Sequence, residues 1–526
     1  MAAAAATDTA ALPPPAVAAK PPLRGGALVL LTLAIALSTF MEVLDITIVN
    51  VSVPTIAGSL SVGVSEGTWA ISSYSLASAI VQPLTGWLAR RFGEVRTFTA
   101  SVTLFVVFSM LCGFATSMPM LVLFRLLQGL VSGPMVALSM TLLLANYPNE
   151  KKGMALALWA MTVIVAPIFG PILGGWITDN YSWHWIFFIN APVGLLAALV
   201  VWTLLRDRET PVQKVPIDRI GLALLVIGVG SLQFMLDNGN DKDWFSSPLI
   251  TTLGIVALVC LTFFVAWELT DAHPVVDLSL FKRRNFRVGV IALSVGMFGF
   301  FGINVIYPLW LQTTLGYTAE WAGLATAPVG ILAVFFSPLV GRLIGKADLR
   351  VMVSFAFLVF AFTTHWFSTF TAQASFDQLI WPRLIQGMGV AFFFIPLNQI
   401  ILSGLPQHEI ANASGLSNFF RTIAGSISTA VSVTLWQHRA DYHHAMLTEH
   451  VTSARPAAEQ WLGTLQGVGM GRAQALALTD QTINLQAFTL AVNDLFLLFS
   501  GLFVAMIVLV WWARPPFGSA GGAPAH

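Results

Sequence analysis

The sequence predicts an all-α polytopic membrane protein with 14 transmembrane helices, and three observations carry that prediction. First, 56% of the 526 residues are hydrophobic and 10% are charged, against about 25% charged in ordinary soluble domains. The mean hydropathy is +0.78. Second, the chain divides into apolar stretches of about 20 residues, the length a helix needs to cross a bilayer. Third, Lys and Arg are distributed unevenly between alternate connections. A net charge of +1 gives no sign of nucleic-acid binding.

Residues 1–25, rich in Ala and Pro, read as a disordered cytoplasmic tail. The first apolar run follows Lys20 and Arg24 and is long enough to cross the bilayer. No small-residue cleavage site follows a short core, so the run reads as an uncleaved span. The spans fall at about 27–51, 67–88, 96–116, 119–143, 153–177, 185–205, 218–237, 248–269, 287–311, 321–343, 350–370, 379–401, 409–435 and 491–513. Most breaks carry Pro, Gly, Asn or charge. Trp183, Trp185, Trp381 and Trp511 sit near them, where an amphipathic ring suits the interface. Of 26 Lys and Arg, 19 fall in connections on one side and four on the other; Arg125, Arg383 and Arg421 lie within spans. One missed span would reverse every later connection, so this asymmetry supports the whole map and puts both termini in the cytoplasm. Cys112 and Cys260 fall inside spans and imply no disulfide or metal framework.

The chain repeats itself. Pro83-Leu84-Thr85-Gly86-Trp87-Leu88 recurs as Pro338-Leu339-Val340-Gly341-Arg342-Leu343, and Arg125-Leu126-Leu127-Gln128-Gly129 as Arg383-Leu384-Ile385-Gln386-Gly387. Asn50 and Pro54 answer to Asn304 and Pro308, and all offsets lie between 254 and 258 residues. Spans one to six therefore correspond to spans nine to fourteen. This divides the chain into a six-helix bundle (26–206), a linker with two inserted helices (207–285), a second six-helix bundle (286–513) containing an outer loop (437–490), and a tail (514–526). Duplicated halves related by an axis along the membrane normal place a substrate site between them near the midplane.

Ionisable side chains inside a membrane are costly, so each is a candidate for function. Glu42 and Asp45 are three apart and share one face of span one. At about 1.5 Å per residue Asp45 lies ~27 Å up and Arg125 ~9 Å down from the outer end of span four, so the two share a similar depth. Pairing favours the charged carboxylate, and separation or dehydration opposes it, so a movement that parts them would load or release a proton. The second half has Gly296 and Gly299 where the acids would fall. Arg421, about twelve residues into span thirteen, suits attraction of anionic substrates into the cavity, or equally a structural role. Asn304, Tyr307 and Phe298 are candidates to line that cavity, and Arg383 reads as a vestige of the duplication. His365 reads as a packing histidine.

Ala166, Gly170 and Gly174 recur every fourth residue in span five, putting a small-residue face on a helix that Pro167 and Pro171 should bend. Such a span suits a hinge or seal between two bundles. Gly170-Pro171-Ile172-Leu173-Gly174-Gly175 resembles the antiporter motif of proton-driven drug exporters of the major facilitator superfamily. Leu44-Asp45-Ile46-Thr47-Ile48-Val49-Asn50-Val51 is similar to the first-span signature of its fourteen-span drug:proton antiporters. Gly86-Trp87-Leu88-Ala89-Arg90-Arg91-Phe92-Gly93 is similar to the loop motif after span two, and Arg125-x-x-Gln128-Gly129 matches in span four.

The resemblance implies a major facilitator fold of two six-helix bundles plus two inserted helices. It implies proton coupling through Asp45, Glu42, Arg125 and Gln128, a hinge at Pro167, Gly170, Pro171, Gly174 and Gly175, and a cytoplasmic gate loop containing Gly86, Arg90, Arg91 and Gly93. It further implies export of hydrophobic, weakly acidic drugs across the bacterial inner membrane, driven by the proton gradient without a cofactor. A periplasmic adaptor would dock on the 437–490 loop and lead to an outer-membrane channel of the TolC type. One departure stands out: the family usually has Asp at Arg90 and a basic residue at Glu94, so the gate's charge pair must be rearranged or reversed.

Other signals are weaker. Gly63-Val64-Ser65-Glu66-Gly67 fits a hydrolase nucleophile pattern but follows no strand. Gly341-Arg342-Leu343-Ile344-Gly345-Lys346-Ala347 lacks the spacing and hydroxyl of a phosphate-binding loop. His438, Asp441, His443, His444 and His450 read as a solvated, partly helical face and not as a metal site. An exporter of one endogenous metabolite, a proton-coupled importer and a membrane-embedded enzyme remain as alternative readings.

Overall fold

In lipid every backbone N–H and C=O must be satisfied within the chain, and helices do this locally. A computed structural model describes residues 23–517 apart from 214–215, 272–273, 275 and 453–454, so most of both expected tails lies outside the described residues. Among the described residues there are fourteen long helical rods, besides shorter helices such as Pro456–Gly467. In order they are α1 (Gly25–Ser59), α2 (residues 69–92, with a tight turn at Gln82–Leu84), α3 (Glu94–Gly113) and α4 (Met118–Asn146). Next come α5 (Lys152–Asn180), α6 (185–205), α7 (Arg219–Asn238), α8 (Pro248–Thr270) and α9 (Arg284–Thr313). The last are α10 (319–343), α11 (Leu349–Phe367), α12 (Phe376–Leu402), α13 (Gln407–Thr448) and α14 (Arg472–Val510).

Eleven of these are long and apolar enough to cross a membrane, and α5, bent by 42° between Pro167 and Ile172, makes a twelfth. The remaining two, α2 and α13, are too polar to qualify by composition. Their polar residues face protein, not lipid: Ser73, Ser78 and Gln82 of α2 and Asn412, Ser414, Ser417 and Asn418 of α13 are all buried. The two rods touch, with the Thr422 hydroxyl donating to Gln82 Oε1 at 2.9 Å. The fourteen rods thus fit the fourteen-helix map, and the two that hydropathy undercounts lie against each other.

The repeat is visible in the packing. In the first half α1 packs on α5 and α6, α2 on α4, and α3 on α6. Eight helices later the same pairings recur, α9 on α13 and α14, α10 on α12, and α11 on α14. The inserted α7 and α8 pack on each other, and α7 also reaches α2, where Trp69 meets Phe234 edge-on at 5.2 Å. The halves meet where α5 packs on α10 and where α13 packs on α2 and α4. Both seams, at the end that carries the Arg-rich connections, are lined by glycine. A Cβ on Gly153 would lie 2.7 Å from the Gly341 carbonyl, and one on Gly86 2.6 Å from Asn412 Cβ.

The 437–490 segment differs from the expected outer loop. At about 1.5 Å per residue the 42 residues of α13 extend ~63 Å, about twice the hydrocarbon thickness. α14 also begins before its expected start. The two run together beyond the core and are cross-tied by Arg439 and His443 on Asp494 (2.5 and 2.7 Å) and by His444 on Asp480 (3.1 Å). A short helix, Pro456–Gly467, folds back on α14 through Leu462, Leu465 and Ala475. Two charged rims can prolong a helix pair past the bilayer where apolar pattern alone predicts its end.

Candidate functional site: a buried ion pair between the first and fourth helices

Depth alone predicted that Asp45 and Arg125 could meet, and the structure brings them together. The Arg125 Nη1 donates to Asp45 Oδ2 at 2.5 Å, and both side chains are fully buried. Gln128, one turn along α4, accepts from the same nitrogen at 2.8 Å and donates to Asp45 Oδ1 at 3.3 Å. Sequence reasoning missed three further partners. Asn190 of α6 donates to Asp45 Oδ1 at 2.9 Å and also to the Ser109 hydroxyl. The Ala70 carbonyl of α2 accepts from Arg125 Nε at 2.8 Å. The Tyr74 ring lies 4.3 Å from the guanidinium carbon, close enough for a cation–π contact. Two helices besides α1, α4 and α6, thus reach the carboxylate itself, and α2 and α3 hold its partners. An Asn near the start of a span was the only sequence signal for Asn190.

Glu42, one turn before Asp45, is also buried, but its Oε2 has no hydrogen-bond partner. The opposite charge acting on it is Arg421 of α13, in the other half, with no ion-pair contact between them among the described residues. Arg421 is half-buried, and among the described residues no hydrogen bond holds its guanidinium.

The second half holds the same arginine without the acid. Arg383 is fully buried and donates to Gln386 Oε1 at 2.6 Å and to Asn304 Oδ1 at 2.8 Å. Asn304 therefore belongs to this neutral cluster, as does Tyr307. The Tyr307 ring lies 5.1 Å from the Arg383 guanidinium carbon, and its buried hydroxyl donates to the Leu379 carbonyl. Tyr307 is placed inside the second bundle and not on a cavity between the halves, because its hydroxyl found a backbone partner there. Phe298 packs edge-on to Phe499, and its carbonyl accepts from the Ser428 hydroxyl.

The glycine face of α5 rests on α1, within the first half. A Cβ on Gly170 would collide with Thr47, and one on Gly174 would lie 2.8 Å from both Ile48 Cγ1 and the Ile48 carbonyl. Gly175 has open space around it, Pro167 is exposed, and the side chain of Pro171 lies outside the described residues. The small-residue face is thus a seat for the helix that carries Asp45, while the seam between the halves lies earlier in α5, at Gly153 and Ala157.

Residues 35–429 match the family model of the Major Facilitator Superfamily. The chain is 51% identical over 501 residues to the multidrug export protein EmrB of Escherichia coli K12, covering 95% of this chain and 98% of that protein. It is 50% identical to EmrB of Haemophilus influenzae, covering 94% and 98%, and 50% identical to the fatty acid resistance protein FarB of Neisseria gonorrhoeae, covering 95% and 99%. The chain belongs to the major facilitator superfamily, in its EmrB-type branch. It is a multidrug efflux transporter and a multi-pass membrane protein. The fold agrees with a solved proton:xylose symporter, XylE (TM-score 0.59, 15% identity, covering 94% and 98%). It also agrees with the human organic anion transporter MFSD10 (TM-score 0.57, 13% identity, covering 92% and 98%).

In this EmrB-type transporter the gate loop between α2 and α3 is tied to the linker that follows α6. Gly86 abuts Asn412 of α13, and Gly93 holds φ +94° and ψ 152°, a conformation open to glycine alone. Arg90 offers its carbonyl to the Gln213 N–H at 2.9 Å, and Arg91 is half-buried. The carboxylate at this loop comes from Glu209 in the linker after α6. It caps the start of α3 by accepting from the Val95 and Arg96 N–H groups at 3.0 and 2.9 Å, and it faces the Arg96 side chain at 3.9 Å. Thr210 adds a bond from the Glu94 N–H, and Trp87 donates to the Pro216 carbonyl. The rearranged charge pair is therefore Glu209 with the α3 N-terminus. Nothing in the local loop sequence pointed there, since the acid lies more than a hundred residues downstream.

Proposed function

We propose that this transporter drives export of hydrophobic, weakly acidic compounds with inward proton flow, and that Asp45 carries the proton. The wholly buried Asp45–Arg125 pair supports this reading above all else. Separating a buried ion pair leaves each charge uncompensated, at a cost of about 3–5 kcal/mol. A proton taken up by Asp45 removes that cost on the acid's side. Movement of α1 relative to α4 and protonation of Asp45 are then one event, and Gln128 and Asn190 hold the carboxylate in place between events. Each proton entering down 100 mV supplies ~2.3 kcal/mol, so the gradient is the energy source and no cofactor is invoked.

The half-buried Arg421, without a hydrogen bond among the described residues, suits an anionic head group, and Glu42 is the opposite charge already acting on it. The name of FarB, a fatty acid resistance protein, fits the same chemistry, an apolar body with a weakly acidic head.

In proteoliposomes subjected to a pH jump, several unrelated dyes should be exported by the native protein. Asp45→Asn should bind dye yet lose proton-driven export; export at the native rate would remove Asp45 from the mechanism.

The same reading places the protein in the inner membrane with both termini cytoplasmic, working with a periplasmic adaptor of the EmrA type and a TolC-type channel. The projecting α13–α14 pair with its short capping helix is the docking surface in this proposal. Deleting residues 449–471 should spare membrane insertion and dye transport in vesicles but abolish co-purification of the adaptor; retained co-purification would refute the assignment.

A further inference from the structure

We infer, on the reading that Asp45 carries the proton, that Tyr74 of α2 is a positioning residue of the proton path. Its hydroxyl orients a buried water through which Asp45 hands its proton on to Glu42.

Tyr74 is 1% exposed, and its ring is fixed from several sides. It lies 4.3 Å from the Arg125 guanidinium carbon and stands edge-on to Phe105 at 6.5 Å. Its backbone is drawn tight against α4, where a Cβ on Gly129 would collide with the Tyr74 carbonyl. The hydroxyl, by contrast, has no hydrogen-bond partner among the described residues. The neighbouring Ser132 hydroxyl donates to the Gly129 carbonyl at 3.0 Å instead. The charged groups that act on the Tyr74 hydroxyl are Glu42, Asp45 and Arg125. Two of these also hold a buried atom without a partner, Glu42 Oε2 and Arg125 Nη2. Leaving a buried polar atom unpaired is costly. A site where several such atoms face one another is where proteins hold an internal water, which needs two to four polar partners.

Depth supports the route. With both termini cytoplasmic, α1 runs outward and α2 inward. The Ala70 carbonyl meets Arg125 beside Asp45, and Tyr74 follows four residues later along α2. Glu42 precedes Asp45 by three residues along α1. Both therefore lie about one turn, ~5 Å, nearer the cytoplasm than the ion pair. A proton moving inward from Asp45 meets them next.

In the transfer the Asp45 O–H bond breaks as the water takes that proton, and the water passes one of its own to the Glu42 carboxylate. Asp45 ends charged beside Arg125, and Glu42 ends neutral. Tyr74 keeps its proton and accepts the water's other hydrogen, while Arg125 Nη2 donates to the water's remaining lone pair. The second half supplies a contrast. Tyr307 likewise faces an arginine, Arg383, at 5.1 Å, but its hydroxyl donates to the Leu379 carbonyl at 3.0 Å. The tyrosine with an unpaired hydroxyl is the one that stands beside the acids.

Full-length protein in proteoliposomes is assayed in two ways, by pH-jump export of a dye and by dye-for-dye exchange without a proton gradient. Tyr74→Phe keeps the ring on Arg125 and removes only the hydroxyl. Its pH-jump export should fall about tenfold or more, as loss of a positioned proton-transfer group does. Exchange should stay at the native rate, and thermal unfolding should come no earlier than in the native protein. In a Glu42→Gln background, Tyr74→Phe should slow export no further, because the path is already cut; a further independent slowing would overturn the relay. Native export by Tyr74→Phe, with export lost in Asp45→Asn, would overturn the relay and leave Asp45 as the carrier. Native export by both variants would overturn the role of Asp45 itself. Equal losses of export and exchange in Tyr74→Phe would make the hydroxyl structural and also end the proposal.

Discussion

Three arginines lie within the expected apolar spans, and their surroundings separate their roles. Arg125 is the most engaged: an acid and an amide share its Nη1 and a backbone carbonyl takes its Nε, while its buried Nη2 has no hydrogen-bond partner among the described residues. Among the described residues Arg383 finds only neutral partners, and Arg421 finds none within hydrogen-bonding distance. The arginine least engaged by protein is the one best suited to a transported anion. At 4 Å and an effective dielectric near 20, a charge pair is worth about 4 kcal/mol. Arg421→Ala should therefore slow export of anionic dyes at least tenfold more than export of cationic dyes of similar size. An equal loss for both would make Arg421 a structural residue. The pairing of Asp45 with Arg125 was legible in the sequence because rise per residue fixes depth in a helix. Asn190 and Glu209 were not legible, since an amide or acid at a helix end looks the same whether it caps, packs or faces water.

At the scale of single helices, glycine spacing was read correctly as a close-packing device but assigned to the wrong neighbour. A face of Ala166, Gly170 and Gly174 reports that some backbone approaches; it carries no information about which helix does. The structure names α1, and this divides the glycines into two kinds. Gly174→Ala would drive a methyl group into Ile48 and its carbonyl and should cost about 1–3 kcal/mol of stability. Gly175→Ala, with open space around it, should change stability by no more than about 0.5 kcal/mol. Thermal unfolding of the two purified variants gives the comparison, and equal losses would mean that the α1–α5 seat is not what Gly174 serves. The ends of α13 and α14 were misread for a related reason. Hydropathy marks where lipid stops, not where a helix held by Arg439, His443 and Asp494 stops.

Across the whole molecule, the repeat in sequence and the repeat in packing coincide, so the two halves share one architecture. Their contact at the Arg-rich end is backbone to backbone. A Cβ at Gly341 would stand 2.7 Å from Ala157 Cβ, so a small adjustment brings two cysteines there to the 3.5–4.5 Å of a disulfide. In a background with Cys112→Ala and Cys260→Ala, the pair Ala157→Cys and Gly341→Cys should cross-link on mild oxidation. Dye export should stop and then return with reductant. Undiminished export by the cross-linked protein would show that the α5–α10 seam does not open during the cycle.

The missing acid of the second half has an electrical meaning. Asp45 neutralises Arg125, while Arg383 keeps its positive charge with only amides and an aromatic ring for company. A permanently charged lobe feels the membrane voltage, by ~2.3 kcal/mol for each charge carried across 100 mV. Turnover should then register as a current on a capacitive membrane electrode, and clamping the potential to zero should slow whichever half-cycle moves the buried guanidinium through the field.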